Sequence, residues 1–207
     1  MKKLLILIVF TTLSSALGNT PVAGELIFKE HTLSFKLPQS VAVSDPQFQT
    51  NDEFHYKVLA CLFDDACIVE TGKSVGSGFL APVGKFFEAG KSRNLEAMKK
   101  VYTVQSGALV ENILKDPDLA SRFLSSASDV EAFKPLLAID FGNQIIVFVK
   151  TMRSGKWSDV VLPFLSVKMA DGTYALQAGE APKSPVVRNL TAFFAQSGLD
   201  GLTIDPK

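Results

Sequence analysis

Apolar residues between positions 79 and 102 recur with the spacing of amphipathic helices. In FLAPVGKFFEAGKSR, the side chains that share one helical face are Phe79, Leu80, Val83, Phe86 and Phe87. Pro82 suits the first turn of this helix and Gly90 its end. Asn94 suits the N-cap of a second helix in NLEAMKKVYT. The pattern therefore predicts two consecutive helices, and further helical patterns follow at residues 108–114 and 119–125.

After residue 136 the apolar pattern changes to that of strands. LLAIDFGNQIIVFVKTM predicts a hairpin that turns at Gly142 and Asn143. SDVVLPFLSVKMADGTYALQAG predicts a second long hairpin that turns at Asp171 and Gly172, and Pro163 within it predicts a bulge or an edge position. The last periodic segment, SPVVRNLTAFFAQSGL, predicts a C-terminal helix.

Further strand patterns precede the helices. Residues 24–37 predict two short strands around KEHT, and residues 38–52 are polar and contain prolines, as a linker would. YKVLACLFDDACIVET predicts a hairpin with DDA in its turn. Helices followed by consecutive antiparallel strands indicate an α+β fold, in which the helices pack on an antiparallel sheet that carries an N-terminal β extension and a C-terminal helix.

The N-terminus has the layout of a secretory signal peptide. MKKLLILIVFTTLSSALGNT contains two lysines, an apolar run and small residues that suit cleavage just before Asn19. We expect residues 1–18 to be the signal peptide, residues 19–52 to be N-terminal strands and linker, and residues 53–207 to be a single α+β domain. Because the apolar run is too short to span a bilayer comfortably, the mature protein is expected to be periplasmic or extracellular in a bacterium, without membrane insertion.

The predicted signal peptide determines how the two cysteines, Cys61 and Cys67, are interpreted. An even number of cysteines in an exported protein predicts a disulfide. The predicted hairpin would place the two residues opposite each other, at a separation that suits the bond. A redox centre is disfavoured because the spacing is not Cys-x-x-Cys. A zinc site would also need His31 and His55, which lie in different predicted elements.

Charge and motifs exclude several functional classes. The chain has 21 basic and 21 acidic residues, so it lacks the positive charge that nucleic-acid-binding proteins carry. The sequence contains no Walker loop, dinucleotide-binding fingerprint, nucleophile elbow or HExxH motif. We therefore predict neither a cofactor nor a metal site.

Three residues are candidates for acid–base chemistry. Asp140 lies in an apolar strand, where a dry pocket would raise its pKa and allow it to act as a general base. Alternatively, Asp140 bonds to its own hairpin turn. His55, next to acidic residues in DEFHYK, and Tyr102 could each aim a polar group into a pocket. The alternatives are a surface position for His55 and a core position for Tyr102.

The segment VGKFFEAGKSRNLEAMKKVYT and the two long hairpins within residues 136–178 resemble the NTF2-like superfamily, also called SnoaL-like or cystatin-like. The resemblance implies a curved sheet that wraps around helices as a cone with a pocket inside. Members of this superfamily include isomerases, dehydratases, polyketide cyclases and non-catalytic binding or assembly modules. Catalytic members commonly use an Asp–His pair or a tyrosine inside the cone, whereas the matched region here contains no histidine.

These observations favour an exported module without catalysis that binds a small apolar ligand or a partner protein of the cell envelope. The alternative is an isomerase-type or hydrolase-type enzyme that uses Asp140 as its base. An assembly role through a homodimer is a third hypothesis, because sheets of this kind often pair with each other.

Overall fold

The structure is a computed structural model that describes residues 26–37, 53–73, 75, 76, 78–178, 184–197 and 200–206. The predicted signal peptide and the predicted linker at residues 38–52 lie outside the described residues.

The described part of the chain forms five helices and eight strands, which confirms the α+β class. The helices are α1 (Ala81–Lys91), α2 (Leu95–Lys100), α3 (Val104–Lys115), α4 (Pro117–Ser128) and α5 (Pro185–Ser197). The strands are β1 (Lys29–Lys36), β2 (Glu53–Leu62), β3 (Val69–Glu70), β4 (Ala132–Asp140), β5 (Gln144–Arg153), β6 (Lys156–Lys168), β7 (Tyr174–Gln177) and β8 (Thr203–Pro206).

All eight strands belong to one antiparallel sheet in the order β7-β6-β5-β4-β2-β1-β8, and β3 pairs with the start of β4. The two long hairpins form as predicted. Gly142 and Gly172 adopt positive φ values of 89° and 82° in their turns, a conformation that glycine tolerates best. The sheet is therefore built from local hairpins at one side and from β1, β2 and β8 at the other.

Two strand predictions from the N-terminal half are wrong. KEHT does not separate two strands, because it lies within the continuous strand β1. The β2 and β3 strands do not form a hairpin with each other. Both pair with β4, β2 at residues 137–140 and β3 at residues 132–133, so they follow one another along the same side of that strand. The segment between them lies beside β4 and is not a hairpin turn.

The helical predictions agree with the structure except at the end of α1. Asn94 caps α2 by accepting the backbone N–H of Ala97 at 2.9 Å, as predicted. Gly90 does not end α1, which continues to Lys91. Arg93 takes the left-handed conformation instead, with φ of 50°, and the amides of Arg93 and Asn94 bond back to the carbonyls of residues 90 and 89. This is a Schellman ending without its usual glycine.

Helices cover both faces of the sheet. One face, called here the main helical face, packs against α1 to α4 around buried residues such as Phe87, Met98 and Phe133. The other, called here the α5 face, packs against α5 through Leu190, Phe193 and other apolar side chains. Consecutive β5 residues from Ile145 to Val149 are accordingly all buried, and they alternate between the two clusters.

Candidate functional site

The Asp140 carboxylate bonds to its own hairpin turn. It accepts the backbone N–H of Gly142 at 2.7 Å, and the residue is only half-buried at the end of β4. Asp140 pairs with Leu59 of β2, four residues beyond His55 along that strand. Four residues of extended chain span about 13 Å. The structure therefore does not bring Asp140 and His55 within hydrogen-bonding distance.

His55 lies on an exposed strand surface with polar neighbours. Its Nδ1 is 2.9 Å from Ser34 Oγ, its direct partner on β1, and its Nε2 is 3.8 Å from Glu53 Oε1. The arrangement contains the residue types of a hydrolytic triad, but the His55 side chain is 58% exposed. Efficient acyl transfer needs a sheltered site with oriented donors for the oxyanion. The cluster is better explained as a cross-strand polar network.

Tyr102 packs among aromatic rings. Its ring centroid lies 6.2 Å from that of Phe86 and 6.3 Å from that of Phe123, and its backbone forms a bridge with Leu176. Burial raises the pKa of the Tyr102 hydroxyl well above its usual range, so the group stays protonated at neutral pH. Such a phenol is a weak acid, and its position agrees with the core alternative.

The two cysteines are free thiols in the structure, so the disulfide predicted from the sequence is absent. The physical reason is the missing β2–β3 hairpin: Cys61 pairs with Ala138 of β4, and Cys67 lies in the segment before β3. Burial, followed by the nearby Cys67, raises the pKa of Cys61. Burial and then Asp64 raise the pKa of Cys67, which Lys134 opposes. Both thiols are therefore poor nucleophiles at neutral pH.

A half-open groove lies between the glycine-rich segment after β3 and one side of α1. Its volume is about 240 Å³, and Lys73, Lys85 and Glu88 line it together with small residues. Val75 seals its floor by packing on Gly84, where a Cβ would lie 2.2 Å from Val75 Cγ2. Lys73 already pairs with Glu70 at 2.9 Å. The groove has the mixed polarity of ordinary surface and no organised set of ligand donors.

A polar contact is buried between α5 and the sheet. The Asn189 amide donates to the Tyr56 hydroxyl at 2.6 Å, and Asn189 is 2% exposed. His31 is also buried on this face, whereas His55 points to the opposite side of the ribbon of β1 and β2. The two histidines therefore do not converge on the cysteines as a zinc site would require.

The α5 face is only partly covered. The α5 cluster takes its β4 residues from the second half of that strand, namely Leu137 and Ile139. Along the first half of β4 and the adjoining ends of β5 and β6, most side chains on the same face are exposed or half-buried, and the small side chain of Ala132 is buried there. This surface, called here the uncovered patch, consists of Leu62, Ile68, Lys134, Lys150, Met152 and Trp157.

Strand alternation places these side chains on one face. Phe133 and Val149 belong to the main helical face, so their neighbours Lys134 and Lys150 point to the other side. Arg153 bonds to α4 carbonyls on the main helical face, so Met152 points away from it, opposite Trp157.

The same alternation extends the patch across β2 and β3. Leu62 lies opposite Leu137 of the α5 cluster, and Ile68 precedes Val69, which faces α1 to α4. The exposed fractions are 45% for Leu62, 46% for Ile68 and 38% for Trp157. Large apolar side chains gathered on one exposed surface indicate an interaction site more often than scattered ones do.

Two lysines are directly opposed within the uncovered patch. Lys134 of β4 pairs in register with Lys150 of β5. Asp65 accepts a hydrogen bond from Lys134 Nζ at 2.6 Å, which also lowers the pKa of Asp65. Within the described part of the chain, the ammonium of Lys150 has no ion-pair partner. Sequence reasoning missed both residues, although each is a single charge inside an apolar strand.

The described residues lack two further features. They contain no group of three or more His, Cys, Asp or Glu side chains that could hold a metal ion. Across the same residues, no helix combines the length and the apolarity that a membrane crossing needs.

A comparison with protein-family models, curated proteins and solved structures found no match to this chain.

Proposed function

We propose that this chain is an exported binding module that recognises a partner protein through the uncovered patch and has no catalytic role. The observation that carries the proposal is the patch itself. A folded sheet with helices on both faces leaves one part of the α5 face exposed, and that part presents leucine, isoleucine, methionine and tryptophan side chains. Surfaces of this composition are typical of protein interfaces.

The arrangement of the candidate catalytic residues supports a binding role over the enzymatic alternative. An isomerase or hydrolase of the expected kind needs a carboxylate and a proton-transfer partner within reach of each other in a sheltered site. Asp140 is engaged by the amide of Gly142, His55 is on an exposed strand, and Tyr102 is packed among aromatic rings.

The interior supports a partner protein over a small apolar ligand. Aromatic rings occupy the space between α1 and the sheet, with centroids 5.3 Å apart for Phe87 and Phe133 and 5.5 Å apart for Phe87 and Phe164. Phe86 adds a contact to Phe164 at 5.5 Å. These side chains fill the region where a ligand pocket would lie between helices and sheet.

Kinship with the NTF2-like superfamily, including a cone-shaped curvature of the sheet, is part of the proposal. It is supported by the helix–break–helix opening at α1 and α2 and by the two long hairpins that follow. The layer formed by α5 on the second sheet face is an addition to that layout. Binding and assembly modules without catalysis are known in the superfamily, which is compatible with the role proposed here.

Export and partner binding can be tested together in the bacterium that produces the protein. Fractionation and N-terminal sequencing should find the mature chain outside the cytoplasm, beginning near residue 19. A photo-crosslinking amino acid at Leu62, within the patch, should give a discrete protein adduct. The same amino acid at Leu119 of α4 is a matched control, since the two positions are 45% and 44% exposed. Equal labelling at both positions, or a cytoplasmic chain with its leader, would contradict the proposal.

A further inference from the structure

We infer that the partner docks with an acidic residue opposite Lys150, on an apolar segment that covers the rest of the uncovered patch. This inference rests on the proposed function and specifies the chemistry of the partner. Its basis is the position of Lys150 in the sheet and the charge of the groups around it.

Lys150 is a half-buried cation inside an apolar surface. Its strand neighbours on the same face are Phe148, buried in the α5 cluster, and Met152 of the patch. Its cross-strand neighbours are Lys134 on β4 and Val161 on β6. Like charges directly opposite each other on a sheet destabilise it. The local sequence therefore keeps a positive charge where an apolar side chain would pack better.

Two acidic groups at the rim of the patch are already paired, and the exposed Asp159 of β6, within the described part of the chain, makes no ion pair with Lys150. Asp65 bonds to Lys134, whose side chain is only 19% exposed, and Glu70 bonds to Lys73. Asp65 thus neutralises one member of the lysine pair. Within the described part of the chain, the Lys150 ammonium has no ion-pair partner and is hydrated instead.

Docking of a purely apolar segment would remove that solvent. A buried ammonium without a partner is strongly unfavourable, so such a complex would lose much of the free energy gained from Leu62, Ile68 and Trp157. A partner carboxylate at Lys150 removes this penalty and adds a charge-assisted hydrogen bond. A partner that provides both apolar contacts and one carboxylate therefore matches the apolar side chains of the patch and the charge of Lys150.

A second copy of this chain fits the surface less well. Two-fold apposition of the patch would bring the Lys134–Lys150 pair of one chain against the same pair of the other, and like charges in a closed interface are repulsive. An anionic membrane also fits less well, because recruitment by headgroup charge typically needs about four to eight basic residues. The patch contributes two, one of them already bound to Asp65.

The test measures the Leu62 photo-adduct in variants of the exported protein. Lys150→Gln should lower its yield by about tenfold, and Lys150→Glu should abolish it, because each leaves the partner carboxylate without its cation. Lys85→Gln, on the groove side of α1, is the matched control and should leave the yield unchanged. Mass spectrometry should locate the crosslink within a few residues of an Asp or Glu in the partner.

The other outcomes each overturn the inference. An adduct lost in Ile68→Ser but unchanged in both Lys150 variants would mean an apolar partner, so the proposed function would stand and the acidic partner would not. An adduct of twice the chain mass would identify a second copy. Lys150-dependent co-sedimentation with phosphatidylglycerol vesicles, without a protein adduct, would identify a membrane. A wild-type chain that gives no adduct at Leu62 would remove the proposed function itself.

Discussion

Gly90 of α1 and Ala127 of α4 are in such close contact that neither helix has room for a further carbon atom between them. A Cβ built on Gly90 would lie 2.3 Å from the Cβ of Ala127 and 2.9 Å from its carbonyl carbon. Contacts this short do not occur between real side chains, so the approach of the two helices depends on glycine at this position.

We expect Gly90→Ala to destabilise the protein by about 1–3 kcal/mol, because α1 and α4 must move apart and the packing beneath them loosens. Gly107→Ala is the matched control: Gly107 lies in α3, and a Cβ there would meet nothing within 4 Å. This control should stabilise the fold by about 0.5–1 kcal/mol, since alanine favours helix. Urea unfolding of both variants measures the difference, and equal effects would contradict the steric interpretation.

The Asp140 carboxylate should contribute to stability through its turn. Asp140→Ala removes the acceptor for the Gly142 amide and should destabilise the protein by about 1 kcal/mol. Asp140→Asn keeps an acceptor oxygen and should retain most of that free energy. If both variants were fully stable while the exported protein lost a measurable activity, Asp140 would have a chemical role instead.

Local patterns allowed much of this fold to be predicted from the sequence. The apolar stripe of α1 and the cap at Asn94 depend on neighbouring residues, so periodicity and residue type were sufficient. The hairpin turns at Gly142 and Gly172 were predictable for the same reason.

Pairings between distant segments could not be predicted in this way. β2 and β3 look like a hairpin because they are adjacent in sequence, but each finds a better partner in β4. The lysine pair of the uncovered patch was hidden for a related reason. Lys134 and Lys150 are ordinary charged residues in sequence, and only the β4–β5 register and the limited reach of α5 make them a site.

Tyr102 should give the protein a distinct sensitivity to alkaline pH. Burial raises its pKa in the folded state above the value of about 10 found in unfolded chains. The stability that this raised pKa contributes is therefore complete below pH 10. It is lost as the pH rises from there toward the folded pKa, by up to about 1.4 kcal/mol per pH unit. Tyr102→Phe should match the wild type near pH 7 and lose less stability above pH 10. Parallel curves for the two proteins would contradict this.

The thiols offer a test of the region between β2 and β3. When the protein is unfolded without reductant and treated with an alkylating agent, its mass should show two added alkyl groups. If no alkyl group were added until the protein was reduced, the disulfide predicted from the sequence would form after all. In the folded, reduced protein, alkylation should be slow because the pKa of each cysteine is raised. Asp64→Asn removes a charge that raises the pKa of Cys67, and should speed its alkylation by about two- to threefold. Asp116→Asn, at the start of α4, should leave the rate unchanged.

Pro163 should keep the outer edge of the sheet from pairing with other chains. Within the described part of the chain, β7 pairs only with residues 165–168 of β6, so β6 has an open edge at Pro163, as predicted. The backbone N–H of Lys168 points toward β5 and donates to the carbonyl of Asn143. Because backbone N–H groups alternate sides along a strand, the nitrogen of residue 163 faces the open edge. Proline has no N–H to offer there.

Restoring that donor should therefore promote self-association. We expect Pro163→Val to give concentration-dependent dimers or larger species in light scattering, because an edge with a continuous row of donors and acceptors pairs readily. Pro163→Lys restores the same N–H but adds a charge that opposes edge pairing, so it should remain closer to the wild type. Association of both variants to the same extent would show that the side chain is irrelevant, and association of neither would show that the edge is blocked by something other than Pro163.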